Sequence, residues 1–141
     1  MDKKDTRRLT LTENRINIPA DFLKMFEGND IVVTCSRNTK CLQIYSKAGW
    51  EAFRENVKSR VGGDWERENA ILSLYDEDHT TVAEQGRIKL QPAHIAYANL
   101  EKKVAYKIVG GLLEFWNEEL LEERQRKLRE ESDTLFAGLF S

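Results

Sequence analysis

An α+β fold built from two tandem copies of one hairpin-and-helix unit is predicted by three observations. The stretch 12–20 (TENRINIPA) recurs at 84–93 (EQGRIKLQPA), placing Arg15 and Arg87 at an offset of 72 residues (87 − 15). The stretch 42–46 (LQIYS) matches 113–117 (LEFWN) at an offset of 71 (116 − 45). The two prolines of the chain, Pro19 and Pro92, each follow the apolar strand of their copy. Matched segments at nearly one offset mark an internal duplication. The expected organisation is one domain of two repeats, about 8–61 and 78–124. A helical linker, 62–77, joins them, and a last helix spans 117–135.

Each element has a local reason. Residues 8–11 alternate weakly and predict a strand; 12–14 predict a turn. Along 15–18, Ile16 and Ile18 alternate with Arg15 and Asn17, giving a strand with one apolar face. Pro19 cannot donate a ladder hydrogen bond, but its fixed φ suits the first turn of a helix. Phe22, Leu23 and Phe26 then recur at helical spacing, predicting a helix over 20–26 that Gly28-Asn29 stops. The β-branched run 31–35 predicts a buried strand. A polar turn, 37–40, leads to its hairpin partner, 41–45. Ser46 is placed to cap a helix whose Trp50, Phe53, Val57 and Val61 share one face, and Gly62-Gly63 ends it. Asp64 caps the next helix, with Trp65, Ile71, Leu72 and Tyr75 on its apolar side.

The second copy repeats the pattern: a strand near 80–84, a turn at Gln85-Gly86, a strand over 87–90 and a short helix over 92–97. A strand over 103–109, a Gly110-Gly111 turn and a return strand over 112–116 follow. Asn117 caps the last helix, where Glu118-Glu119 suit the positive end of the helix dipole. Leu121, Leu128 and Leu135 form a thin stripe along it. The apolar end, 135–140, is expected to dock on its own chain or on a neighbouring subunit.

Composition bounds function. The chain has 141 residues, 40% hydrophobic and 33% charged, with a formal net charge of −2. It has no apolar run of about 18 residues to span a membrane, and no apolar stretch behind the N-terminal charges to act as a secretory signal. The expected compartment is the cytoplasm. The charge balance does not favour nucleic acid, but its distribution is uneven. Lys3, Lys4, Arg7, Arg8 and Arg15 gather in the first copy, whereas the matching approach in the second, Asp76-Glu77-Asp78-His79 and Glu84, is acidic.

Candidate sites follow from these residues. An Arg at a hairpin tip, Arg15 or Arg87, contacts a phosphate or reads a guanine edge with its fork. The competing role is an ion pair across the turn with Glu13 or Glu84. Arg7 and Arg8, with Lys3 and Lys4, form either a solvated tail or a basic arm along a phosphate backbone. Asn14 sits beside Arg15 in the tip. Cys35 and Cys41 flank the 37–40 turn and are placed to face one another across a hairpin. His79 and His94 show no ligand spacing towards them, so reduced buried thiols are expected and no metal. Trp50, Trp65 and Trp116 are expected in the core. There is no phosphate-binding glycine loop, nucleophile–base pairing or paired carboxylate context, so no enzyme, cofactor or small-molecule substrate is expected.

Strand–turn–Arg–strand–Pro–helix–hairpin, twice in one chain, resembles the MraZ family of bacterial proteins, tandem relatives of the AbrB and SpoVT swapped-hairpin domains. The resemblance runs from about residue 8 to 124, strongest through Gln85-Gly86-Arg87-Ile88, the stretch 97–102 and Leu113-Glu114-Phe115-Trp116, with Arg15 to Phe22 and Cys41 to Tyr45 in the first copy. It implies a pseudo-symmetric swapped-hairpin barrel with peripheral helices, a ring-like homo-oligomer, and a repressor-type regulator binding short direct repeats in promoter DNA. It also implies a cytoplasmic location, on the nucleoid when DNA-bound. Arg15, Arg7, Arg8, Asn14 and Arg87 are the DNA-binding candidates. This chain departs from the family at the tips. Leu11 and Ala83 stand where the family carries an Asp, and Glu13 and Glu84 where it carries a Lys. Two alternatives follow: a ring-forming structural or regulatory protein that has lost operator binding, or an AbrB-type antitoxin.

Overall fold

The computed structural model describes residues 7–35 and 38–140, the Phe140 side chain excepted. The expectations placed on Lys3, Lys4 and the Arg37 end of the first-copy turn lie outside the described residues. The elements run β1 (Arg7–Thr10), β2 (Arg15–Asn17), α1 (Ala20–Leu23), β3 (Asp30–Cys35), β4 (Leu42–Ser46), α2 (Lys47–Arg60) and α3 (Trp65–Leu72). They continue as β5 (Asp78–Thr81), β6 (Arg87–Lys89), α4 (Pro92–Tyr97), β7 (Lys103–Val109), β8 (Leu112–Asn117) and α5 (Glu118–Phe140).

The strands form one six-stranded sheet, ordered β1-β7-β8-β4-β3-β5, and a separate two-stranded ribbon of β2 and β6. All pairs are antiparallel. The copies exchange strands: β1 of the first lies on β7 of the second, and β5 of the second lies on β3 of the first. The duplication therefore becomes a pseudo-two-fold axis. In the ribbon Ile16 faces Ile88, its own repeat equivalent, and in the sheet Gln43 faces its equivalent Glu114. Two central pairs made of equivalent residues place both on that axis.

The closed barrel expected from the resemblance is not what these strands build. Strands β2 and β6 are three residues each and pair only with one another. Among the described residues outside the named strands, a single bridge, Thr12 to Arg15, joins the β1 side to β2. Pro19 and Pro92 cut both ribbon strands short, because neither can donate to a ladder. The hydrogen-bond ladder is thus broken between sheet and ribbon.

Alternation along the strands gives the sheet two covered faces. Ile31, Val33, Leu42, Ile44, Val104, Leu113 and Phe115 meet Ile16 and Ile88 from the ribbon, Phe22 from α1 and Ala98 just after α4 in the main core. On the opposite face Ala105, Trp116 and Cys41 pack on Leu121 of α5. There too Tyr45, Trp50, Phe53 and Tyr75 stack under α2. The predicted caps are in place. Ser46 Oγ accepts from the Gly49 amide (3.0 Å), Asp64 Oδ1 from Glu66 and Arg67 (3.1 and 3.2 Å), and Asn117 Oδ1 from Leu120 (3.1 Å).

Four expectations need correction. Trp65 is 66% exposed, because α3 ends at Leu72 and buries none of its residues, so Tyr75 lies outside it and no continuous apolar face forms. Cys35 and Cys41 are free and buried as expected, but they belong to different clusters on opposite faces of the sheet and do not face one another. Helix α5 continues through the apolar end, leaving Leu135 and Leu139 68% and 78% exposed rather than docked on this chain. The strand expected near 80–84 is β5 at Asp78–Thr81, so half of the acidic run Asp76-Glu77-Asp78-His79 is sheet edge, with Asp78 opposite Val33 and His79 opposite Val32.

Candidate nucleic-acid interface

The ribbon sorts its side chains by pleat. Ile16 and Ile88 are buried, while Arg15, Asn17, Arg87 and Lys89 are exposed. Pairing sets Arg15 opposite Lys89 and Asn17 opposite Arg87. The outward face therefore carries three cations and an amide on a rigid base whose underside is the main core. The ladder is lengthened by two further bonds related by the axis, Ile18 N–H to the Gly86 carbonyl and Leu90 N–H to the Asn14 carbonyl, both 2.7 Å. Asn17 Nδ2 also donates to the Gln85 carbonyl (3.2 Å), tying the end of β2 to the second tip.

The two tips differ in turn chemistry. In the first, Thr12 and Arg15 close a two-residue loop by exchanging backbone hydrogen bonds, both 2.9 Å. Glu13 and Asn14 take φ of 52° and 66°, the double left-handed conformation of a hairpin turn whose twist matches the strands. Asn tolerates that region; Glu does so at a cost. In the second, the loop is one residue longer and Gly86 supplies the positive φ, 80°. That extra residue moves the offset from 71 at Thr12/Ala83 to 72 at Arg15/Arg87.

Glu13 and Glu84 are exposed at the tips. Among the described residues no carboxylate forms an ion pair with Arg15, Arg87 or Lys89. The cross-turn pairing with Glu13 or Glu84 is therefore not made. These three cations border a concavity of about 490 Å³ shared with Thr80, Thr81, Ala83 and Gln85.

Arg7 and Arg8 are not gathered onto this face. They lie at the far end of β1, where Arg8 is four residues before Thr12, about 13 Å along a strand. Arg7 pairs with Asp21 of α1 at 3.1 Å, and Arg8 pairs with Glu118 at the start of α5. Hydrogen bonding to Tyr106 and then the charge of Asp21 hold the Arg7 guanidinium above its ordinary range; hydrogen bonding to Glu118 does the same for Arg8. Asn14 is half-buried and gives its carbonyl to the ladder. Sequence reasoning missed Lys89 and Asn17. The signal was present: with Ile88 inward, Lys89 must share the face of Arg87.

A family model described as "MraZ protein, putative antitoxin-like" matches residues 12–67. A protein of Thioalkalivibrio sulfidiphilus is 30% identical over 131 residues, covering 87% of this chain and 85% of its own length. The chain belongs to the MraZ family. A second MraZ protein, from Legionella pneumophila (strain Corby), is 28% identical over 133 residues, 91% of this chain and 87% of the relative. A third, from Oleidesulfovibrio alaskensis, reaches 37% identity over 87 residues, 58% of this chain and 56% of the relative. All three are named as transcriptional regulators rather than enzymes, which agrees with the reading of this chain as no enzyme. Among the described residues no helix is long and apolar enough to cross a membrane.

Proposed function

We propose that this chain is a DNA-binding transcriptional regulator of the MraZ type, with the β2–β6 ribbon as its reading head. The single observation that carries the reading is the pleat of that ribbon. It holds Arg15, Arg87 and Lys89 outward, free of ion pairs among the described residues, and anchors Ile16 and Ile88 in the core. A two-stranded β-ribbon fits the major groove of B-DNA, which is about 12 Å wide. Three residues per strand span about 10 Å. Arg15 and Arg87 would fork onto guanine edges or phosphates, and Lys89 onto a phosphate. Asn14 shapes the first tip through its backbone. Arg7 and Arg8 are outlying phosphate contacts, each exchanging a carboxylate for phosphate on binding.

The finer role is repression through short direct repeats in promoter DNA, by a cytoplasmic ring of identical subunits that adds weak contacts by avidity. The strand exchange between copies is read as the family's swapped-hairpin arrangement. A second reading rests on Glu13 and Glu84, which set two anions beside the three ribbon cations: an assembly protein that no longer binds an operator. The test is anisotropy of the purified protein on its own upstream DNA against a scrambled duplex of equal length. Selective binding that is lost in Arg15→Ala and weakened in Arg87→Ala supports the regulator. Equal, weak binding to both duplexes supports the assembly protein.

A further inference from the structure

We propose that Cys35, Asp76 and His94 form a zinc site that holds both ends of the second hairpin segment to β3. The three residues are distant in sequence and sit on different elements: the end of β3, the link between α3 and β5, and α4. One donor atom from each, a thiol sulfur, a carboxylate oxygen and an imidazole nitrogen, lies within 4.8 Å of the other two. A tetrahedral zinc ion with sulfur at about 2.3 Å and nitrogen and oxygen at about 2.0–2.2 Å needs ligand separations of about 3.4–3.6 Å. A contraction of about 1 Å by side-chain rotation closes the set.

The histidine is the second, independent observation. His94 is 3% exposed, and its Nδ1 is buried with no hydrogen-bond partner. Its Nε2 stands 3.7 Å from Asp76 Oδ2, beyond hydrogen-bonding distance. A buried imidazole nitrogen without a partner is costly, and Asp76 as it stands is too far from Nε2 to bond the ring's other nitrogen. Backbone fixes the partners: the Asp76 amide donates to the Cys35 carbonyl at 3.4 Å, holding the carboxylate beside the thiol. Asp76 is 74% exposed, which gives an ion a way in and leaves the fourth position for water.

Donor chemistry selects the ion. Thiolate with imidazole suits zinc, whereas calcium and magnesium require oxygen cages. Binding is not a redox step: as the sulfur–zinc bond forms, the thiol proton leaves to water. Asp76 precedes and His94 follows the segment that carries Arg87 and Lys89, so the ion would clamp both its ends. Metal binding is read without DNA, so its failure leaves the DNA reading untouched.

The experiment uses the untagged full chain, stripped with a chelator under reducing conditions and titrated with cobalt(II). The expected result is one equivalent bound, with a near-ultraviolet thiolate-to-cobalt charge-transfer band and tetrahedral visible bands, displaced by zinc. The band should vanish in Cys35→Ser and persist in Cys41→Ser, which alters the other buried thiol. Asp76→Asn, a surface change that spares the fold, should weaken binding at least about tenfold. Zinc should raise Tm in the parent and not in Cys35→Ser. Absence of a thiolate band, its survival in Cys35→Ser, or unchanged affinity in Asp76→Asn would overturn the site.

Discussion

Truncation of Ile16 to Ala tests whether the ribbon is held from beneath. Ile16 is fully buried and lies on the pseudo-two-fold axis opposite Ile88, itself buried. The change removes three carbons, about 2.4 kcal/mol of transfer free energy at about 0.8 kcal/mol per methylene. The ribbon strands are braced by the main core and cannot fully collapse onto the gap, so a cavity cost brings the expected loss to about 3–4 kcal/mol. Unfolding entropy near 2.1 cal/mol/K per residue gives about 0.3 kcal/mol/K for a chain this long, hence a fall in Tm of about 10 °C. Urea unfolding followed by circular dichroism is the assay, with the midpoint moving and the slope unchanged. Because Ile88 is the repeat equivalent of Ile16, Ile88→Ala should cost the same within about 1 kcal/mol, and the double variant should depart from additivity by about 0.5 kcal/mol or more. A loss below about 1 kcal/mol for either single variant would refute the inward assignment of these residues, and with it the outward assignment of Arg15, Arg87 and Lys89.

Three further outcomes are expected. Glu13→Asn relieves a left-handed Glu and removes an anion from the first tip, so it should leave stability unchanged or raise it by up to about 1 kcal/mol. It should also tighten DNA binding, as calorimetry and anisotropy would read. Burial pushes the Cys41 thiol from 9.0 to about 12 and the Tyr45 phenol from 10.0 to about 12. The unfolded groups therefore lose protons first as pH rises, and stability present below about pH 9 should fall between about pH 9 and 12. Urea midpoints at pH 8 and pH 10.5 measure this, and Cys41→Ala should flatten the decline. If the proposed ring forms, replacing the exposed Leu135 and Leu139 with Ser should reduce its size by light scattering without lowering the urea midpoint; an unchanged size would exclude this end of α5 as a contact.

Local structure was readable from the sequence wherever one residue decides it. Ser46, Asp64 and Asn117 cap helices as predicted, since a short oxygen side chain before an apolar stripe has few other uses. The repeat offset, together with alternation around Ile16 and Ile88, carried the essence of the ribbon. What it did not carry was partner choice. Strands β1 (Arg-Arg-Leu-Thr) and β5 (Asp-His-Thr-Thr) bury no residue and carry little apolar pattern, and their exchange between copies depends on which edge is vacant in three dimensions. The barrel expectation failed for the same reason: strand length and proline position were visible, but not the break in the ladder between Thr10 and Arg15. Lys89 has no counterpart cation in the first copy, where Asn17 stands, so the repeat alone does not mark it; the alternation around Ile88 does. Cys35, Asp76 and His94 lie on three elements and show no spacing, so only the folded chain brings them together. Trp65 misled because a spacing that continues past a helix end still looks amphipathic on paper.

The ribbon face is proposed to meet DNA, and the salt dependence of binding to the upstream duplex tests this most directly. Affinity would be measured by anisotropy across a series of salt concentrations for the parent, for Arg15→Ala/Arg87→Ala/Lys89→Ala and for Arg7→Ala/Arg8→Ala. Each phosphate contact contributes about 0.9 to the log–log slope. If all three ribbon cations meet phosphate, the triple variant should lose up to about 2.7 of slope together with its preference over a scrambled duplex, while the β1 variant should lose at most about 1.8 of slope and keep the preference. A triple variant that retains the parent's slope and selectivity, or a loss confined to the β1 variant, would contradict the ribbon as the reading head.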